Sequence, residues 1–356
     1  MRIGAFTQGY VRSDSTPQQR FAEVVEEAIA AEEAGLASFG VSEQHFRFPT
    51  NSTGPIDSLM AAIAQATEKI SIMPGTVILP LHHPLHTAER WAAIDIISNG
   101  RVNFGVGKGN NPLTMDVFGV NVEEAEQITR EALQIIVNAW TQEKFAFEGD
   151  YWDFQEIGLC PRPVQSPHPP LAWSGLTAET AAVAASMKLG LMTGALANDW
   201  ETVEHVLDTY RSNWDAGTPL ENAEPNKTIN ILVNGHLASS FEKVQDQVQD
   251  GLMNYVRRIV TFKREMLARN GTPNPDYGAE YLDDFEAAVH LTPSLFGTPE
   301  ECLPVLQRFR DLGVDQVDVT FDYATHKDML SSIHMLGELA KEVSVPADER
   351  TVANLG

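Results

Sequence analysis

The chain has 356 residues, 43% of them apolar, and its 49 acidic against 25 basic side chains leave a formal net charge of −24. Such a surface repels phosphate backbones and argues against a nucleic-acid partner, and no apolar run approaches the ~20 residues of a membrane-spanning helix. Two cysteines, Cys160 and Cys302, make neither a disulfide framework nor a zinc site and are read as free, buried thiols.

The length permits two ordinary domains or one large barrel with an insertion. The opening run Met1-Arg2-Ile3-Gly4-Ala5-Phe6 enters a strand at once and leaves no room for a signal peptide, so a cytoplasmic protein is expected. After a strand at 2–6, apolar residues Phe21, Val24, Val25, Ala28 and Ile29 recur at helical spacing through 17–34, with Thr16-Pro17 as the start signal and Gly35 as the stop. A second strand at 38–42 precedes a helix at 56–67. A third strand at 70–79 ends at Pro80, and a helix at 85–97 stops at Asn99-Gly100.

A fourth strand at 102–106 and a helix at 123–140 follow. Gly149-Asp150, between two aromatic runs, marks an excursion hairpin over 145–154. The proline-rich stretch 161–170 leads into strand five at 171–174. A helix at 178–187, a strand at 191–195, a helix at 201–214 and strand seven at 228–237 continue the alternation. A helix at 299–311, strand eight at 316–321 and a helix at 327–343 complete it. Eight strands, each followed by a helix, predict an α/β fold, a (β/α)8 TIM barrel with an insertion after strand seven; a doubly wound open sheet is the competing layout. Residues 1–356 are read as one domain, and 239–298, too long for a simple crossover, as a lid on the loop side.

Three places carry candidate chemistry. In Ser42-Glu43-Gln44-His45-Phe46, Glu43 and His45 lie two apart at a strand end and face the same way. A carboxylate beside an imidazole can orient a substrate or shuttle a proton, although both could simply satisfy loop backbone. Gly105-Val106-Gly107-Lys108-Gly109-Asn110 could wrap an anion, but it is neither a Walker loop nor a dinucleotide fingerprint, and a tight turn with a solvated lysine would look alike. Ser174-Gly175-Leu176-Thr177 opens a helix, so it reads equally as a phosphate site or as ordinary N-capping. His82-His83-Pro84-Leu85-His86 lacks a carboxylate pair at ligand spacing, so no metal is assigned and pocket-lining or structural roles are expected.

Taken together, these runs resemble the bacterial-luciferase-like family of flavin-dependent monooxygenases. The likeness rests on Glu32-Glu33-Ala34-Gly35-Leu36 leading to Ser42–Phe46, Val77-Ile78-Leu79-Pro80 with His83-Pro84, the glycine-rich run from Gly100 to Gly109, Val117-Phe118-Gly119, and Gly297-Thr298-Pro299-Glu300-Glu301-Cys302. It implies a TIM barrel that binds FMN at its C-terminal face. The family typically takes reduced FMN from a separate flavin reductase, reacts it with O2, and oxygenates an organic molecule through a C4a-(hydro)peroxyflavin.

By position, the resemblance implies that Lys108 holds the FMN phosphate with Ser174, Gly175 and Thr177. It places Gly75-Thr76, a stretch that often contains a cis peptide, against the flavin ring, and Asn110 and Asn111 near the cofactor. Glu43, Gln44 and His45 match the catalytic segment, but Gln44 replaces a histidine and cannot exchange a proton near neutral pH. Light emission from an aldehyde is therefore not expected. Trp173 replaces an acidic residue, which implies a more apolar wall. The expected substrate is small and largely apolar. The resemblance also implies a homodimer, with the 56–67 helix as a candidate face. The rivals are an F420-dependent oxidoreductase transferring hydride, a non-catalytic flavin-binding relative, and a metal-dependent barrel hydrolase on His45, His82, His83 and His86.

Overall fold

The structure is a computed structural model that describes residues 1–12, 15–47, 51–196, 198–269, 271–290 and 292–343. In chain order it contains β1 (Arg2–Thr7), α1 (Pro17–Glu33), β2 (Ser38–Val41), α2 (Ile56–Ala66), β3 (Ser71–Pro74), β4 (Val77–Ile78), α3 (Pro84–Ile97), β5 (Phe104–Gly107), α4 (Pro112–Phe118) and α5 (Ala125–Thr141). An antiparallel hairpin of β6 (Phe145–Glu148) and β7 (Asp153–Ile157) leads to β8 (Leu171–Ser174), α6 (Ala178–Ser186), β9 (Gly190–Gly194), α7 (Trp200–Trp214) and β10 (Ile229–Leu237). Then come α8 (Phe241–Arg269), α9 (Phe285–His290), β11 (Leu295–Gly297), α10 (Pro299–Asp311), β12 (Gln316–Thr320) and α11 (His326–Val343).

The parallel strands follow the order β3-β2-β1-β12-β10-β9-β8-β5-β4. Its two ends are consecutive in sequence, parted only by Gly75 and Thr76, and Ile72 of β3 bridges Val102 just before β5. The ring is thus a nearly closed TIM barrel in which one strand position is split in two. The expected third strand is therefore shorter and interrupted: the Gly75–Thr76 peptide is cis, and a single helical turn at Leu79–Leu81 follows β4.

Local signals placed the elements. Thr16 and Gln19 form a reciprocal capping box at the start of α1, and Asn99 and Gly100, both at positive φ, end α3 as expected. The glycine-to-strand corner is fixed by Arg101, whose guanidinium donates to the carbonyls of Ala64, Thr67, Ile70 and Ser98. Arg101 therefore ties α2 and α3 to the barrel wall.

Side chains alternate along each strand. Leu171 and Trp173 of β8 join the large core between strands and helices, whereas Ala172 packs with Phe6, Met73 and Met192 inside the barrel. The barrel interior is filled from β1. A methyl group at Gly40 or Gly75 would lie 2.3 or 2.4 Å from the Phe6 ring, so these glycines make room for it. Deeper in the barrel, Asp318 accepts from Ser38 Oγ at 2.6 Å and Gln316 Nε2 at 2.9 Å, and burial raises its pKa to about 6.

Four expectations change. Cys302 is buried, but Cys160 is exposed. The helix α4 was not foreseen, because Pro112–Phe118 is too short to show a period. Within the expected insertion between β10 and α10 a short strand was not foreseen: β11 pairs in parallel with β10, Gly235 opposite Leu295. Finally, Ile56, Leu59, Met60 and Ile63 of α2 are buried within the chain itself, so this helix offers no free apolar face for a second subunit.

Candidate active site

Glu43 follows β2 and is buried, 4% exposed, at the C-terminal mouth of the barrel. One carboxylate oxygen lies 2.7 Å from Nε2 of His45 and 2.7 Å from Nε2 of His82; the other accepts from the Ile78 N–H at 2.7 Å. Burial would raise the Glu43 pKa, but the hydrogen bonds from both imidazoles and from Ile78, with the charge of His82, outweigh it and hold it below the usual carboxylate range. Its ionised form thus fixes two half-buried histidines. His82 was missed as a partner of Glu43 because the contact joins residues 39 apart in the chain.

Beside this triad, Phe46 adopts φ 56° and is 52% exposed. Such a backbone costs an aromatic residue on the order of 1–3 kcal/mol. Its ring lies 5.4 Å from that of Phe118 on α4, and Phe118 meets His45 edge-on at 5.3 Å. Among the described residues, Gln44 makes one long contact, Nε2 to Ser42 Oγ at 3.5 Å. The remaining histidines of the run separate from the triad. His83 caps α3 through the Leu85 N–H, and His86 is exposed beside Glu89.

The other predicted residues come from the ends of β4, β5 and β8. Gly107 stands between Thr76 and Ser174: a methyl there would lie 2.8 Å from Thr76 Oγ1 and 3.6 Å from Ser174 Cβ. Gly175 is packed against Thr180, where a methyl would come within 2.0 Å of Thr180 Oγ1. Thr177 is the N-cap of α6 and forms a reciprocal box with Thr180. Lys108 Nζ lies 3.9 Å from Glu126, which also binds Arg130 at 3.1 Å. Asn110 is exposed, and Asn111 caps α4. Thr76, Gly107 and Ser174 are therefore adjacent. Arg130 is a further cation that the sequence reading missed, since it lies on α5.

Trp173 departs from expectation. It is fully buried on the helix side of β8, opposite in direction to Ala172, and so does not wall the barrel mouth.

Comparisons with known proteins follow this geometry. The luciferase-like monooxygenase family profile matches residues 1–316. The oxygenase component of flavin-dependent trigonelline monooxygenase from Acinetobacter baylyi is 26% identical over 333 residues, covering 90% of this chain and 89% of that protein. The oxygenating constituent of 3,6-diketocamphane monooxygenase from Pseudomonas putida, solved with FMN, superposes with a TM-score of 0.79 at 20% identity, covering 97% and 99% of the two chains. An F420-dependent secondary alcohol dehydrogenase superposes with a TM-score of 0.69 at 20% identity, over 97% and 99%. These two structures share the fold. A match over most of its length places the chain in the luciferase-like monooxygenase family.

Proposed function

We propose that the chain is the oxygenase component of a two-component monooxygenase, using reduced FMN from a flavin reductase and O2 to oxygenate a small, largely apolar organic molecule. The observation that carries this reading is one barrel mouth holding both a carboxylate-pinned histidine and a glycine-lined cradle between hydroxyls. The cradle fits a flavin: Gly107 keeps open the space that a side chain would take from Thr76 and Ser174. Lys108 would exchange Glu126 for the phosphate, with Ser174, Gly175, Thr177 and Asn110 around it, and Gly75-Thr76 would lie along the ring. Bound reduced FMN supplies the electrons that activate O2.

The protein's own part is positioning and proton control. Glu43 takes the Nε2 side of His45, which leaves Nδ1 to accept a proton or, once protonated, to donate one. Gln44 can hydrogen-bond but not exchange a proton. The 239–298 segment serves as a lid that keeps water from the reacting centre. A hydride-transferring F420 enzyme is the second reading, favoured by the likeness to the alcohol dehydrogenase, because the same cradle serves either phosphate.

Stopped-flow mixing of protein and reduced FMN with oxygenated buffer tests the choice. Oxidation much slower than that of free reduced FMN is expected. Oxidation at the free rate, together with F420 binding, would move the assignment to the deazaflavin enzyme.

A further inference from the structure

Lys108 follows β5 beside the cradle, and α5 brings a carboxylate and a guanidinium toward it. Glu126 Oε2 lies 3.9 Å from Lys108 Nζ. The other Glu126 oxygen accepts from Nε and Nη2 of Arg130, at 3.2 and 3.1 Å. Among the described residues, Glu126 is the acidic side chain paired with each of these cations. It stands four residues before Arg130, so α5 presents both on one face. Glu126 also occupies the first turn of α5, where Glu124 makes no side-chain cap and the backbone N–H groups favour a negative charge.

One carboxylate oxygen thus fills the Nε–Nη2 edge of Arg130, an edge that arginine offers equally to a phosphate oxygen. With Glu126 in place, the two cations carry a net charge that balances a singly charged phosphate diester. The phosphate of FMN is a monoester and is close to doubly negative at neutral pH, since its second pKa is about 6. Matching it takes both cations and leaves Glu126 as a like charge beside it. Magnitudes decide which anion prevails. The side chains of Lys108, Glu126 and Arg130 are 41%, 32% and 35% exposed. Ion pairs this open to solvent shift an equilibrium by no more than about fivefold, whereas a charge-assisted bond to phosphate is worth about tenfold or more.

We propose that Glu126 is a built-in competitor of the cofactor phosphate: Lys108 and Arg130 exchange its carboxylate for the phosphate when FMN binds, and Arg130 becomes the second phosphate ligand. The inference rests on the flavin reading of the cradle. A competing carboxylate suits a cofactor that arrives from a separate reductase and must leave again, because release is helped by a group already within reach.

Fluorescence titration of the full chain with FMN, and with riboflavin as the phosphate-free control, tests it. Glu126→Gln tightens FMN about three- to tenfold and leaves riboflavin unchanged. Glu123→Gln, which removes an exposed charge three residues away, changes FMN affinity less than about twofold. Arg130→Gln weakens FMN about tenfold in the Glu126→Gln background. It weakens FMN by a smaller factor in the parent, where the bond to phosphate forms only after Glu126 is released. Unchanged or weaker FMN binding in Glu126→Gln, an equal gain for riboflavin, or an equal gain in Glu123→Gln overturns the proposal. Parent-like FMN affinity of Arg130→Gln in both backgrounds does the same. If Lys108→Ala still weakens FMN, such a result removes Glu126 and Arg130 and keeps the flavin site. If FMN binds no better than riboflavin and Lys108→Ala changes neither, the phosphate is held elsewhere and the flavin reading of the cradle falls as well.

Discussion

Glu43 and His82 stand 39 residues apart in the chain, yet carboxylate oxygen and ring nitrogen meet at 2.7 Å. With His45 on the same oxygen, the ionised carboxylate organises this side of the mouth. Glu43→Gln removes the charge and leaves one amide oxygen to serve several donors. It is expected to cost roughly 2–4 kcal/mol in urea unfolding. Because the folded pKa of Glu43 is lowered, its contribution is present above the ordinary value of 4.5 and is lost as pH falls through the folded value. The gap between parent and Glu43→Gln should therefore close in acid; a gap that persists unchanged there would falsify the role given to the charge.

His326 works in the opposite direction. Its ring nitrogens lie 2.9 Å from Glu26 and 3.3 Å from Glu27. The hydrogen bond to Glu27, against burial and with help from Glu26, raises its pKa above 6.5. The stabilisation is complete below the unfolded value and disappears as pH rises through the raised folded value. Chemical unfolding of His326→Gln should show a deficit of about 1 kcal/mol at pH 6, shrinking toward zero in alkali.

The cradle is tested by size and by charge. Gly107→Ala would place a methyl 2.8 Å from Thr76 Oγ1, and Lys108→Ala removes a charge-assisted contact worth about 1.5–3 kcal/mol to a phosphate. Both variants should weaken FMN binding tenfold or more while melting near the parent temperature. Fluorescence titration measures the first quantity and calorimetry the second. Parent-like affinity in Lys108→Ala would put the phosphate elsewhere.

Arg101 gives the reverse outcome. Its guanidinium reaches four backbone carbonyls between 2.6 and 2.8 Å. Arg101→Ala is expected to cost about 2–4 kcal/mol, and Arg101→Lys to recover only part of it, because an ammonium lacks the planar fork. FMN affinity per folded molecule should stay put. A loss of affinity without a loss of stability would show that this arginine belongs to the cofactor site.

The strands were legible because buried strands between amphipathic helices leave a strong pattern, and turn residues such as Asn99-Gly100 marked the ends. Glu43 and His45 were legible because they share a strand end. His82 was not, since nothing local ties a histidine after β4 to a carboxylate after β2. Trp173 was misdirected for a different reason: its place in the sequence is next to Ser174, but strand alternation sends neighbouring side chains to opposite faces. Arg130 reaches Lys108 through Glu126 from another element, a relation that spacing does not encode.

The Ala238 N–H donates to the Gly297 carbonyl at 3.1 Å. The segment between them thus leaves and rejoins the scaffold at neighbouring points. Closing a longer loop between fixed ends adds only about 0.6 kcal/mol per doubling of length. Changes of length at the exposed turn 272–276 therefore cost the ring of strands little, whereas α8 and β11 are packed into its core. Length can thus drift at that turn while the frame beneath it keeps its shape.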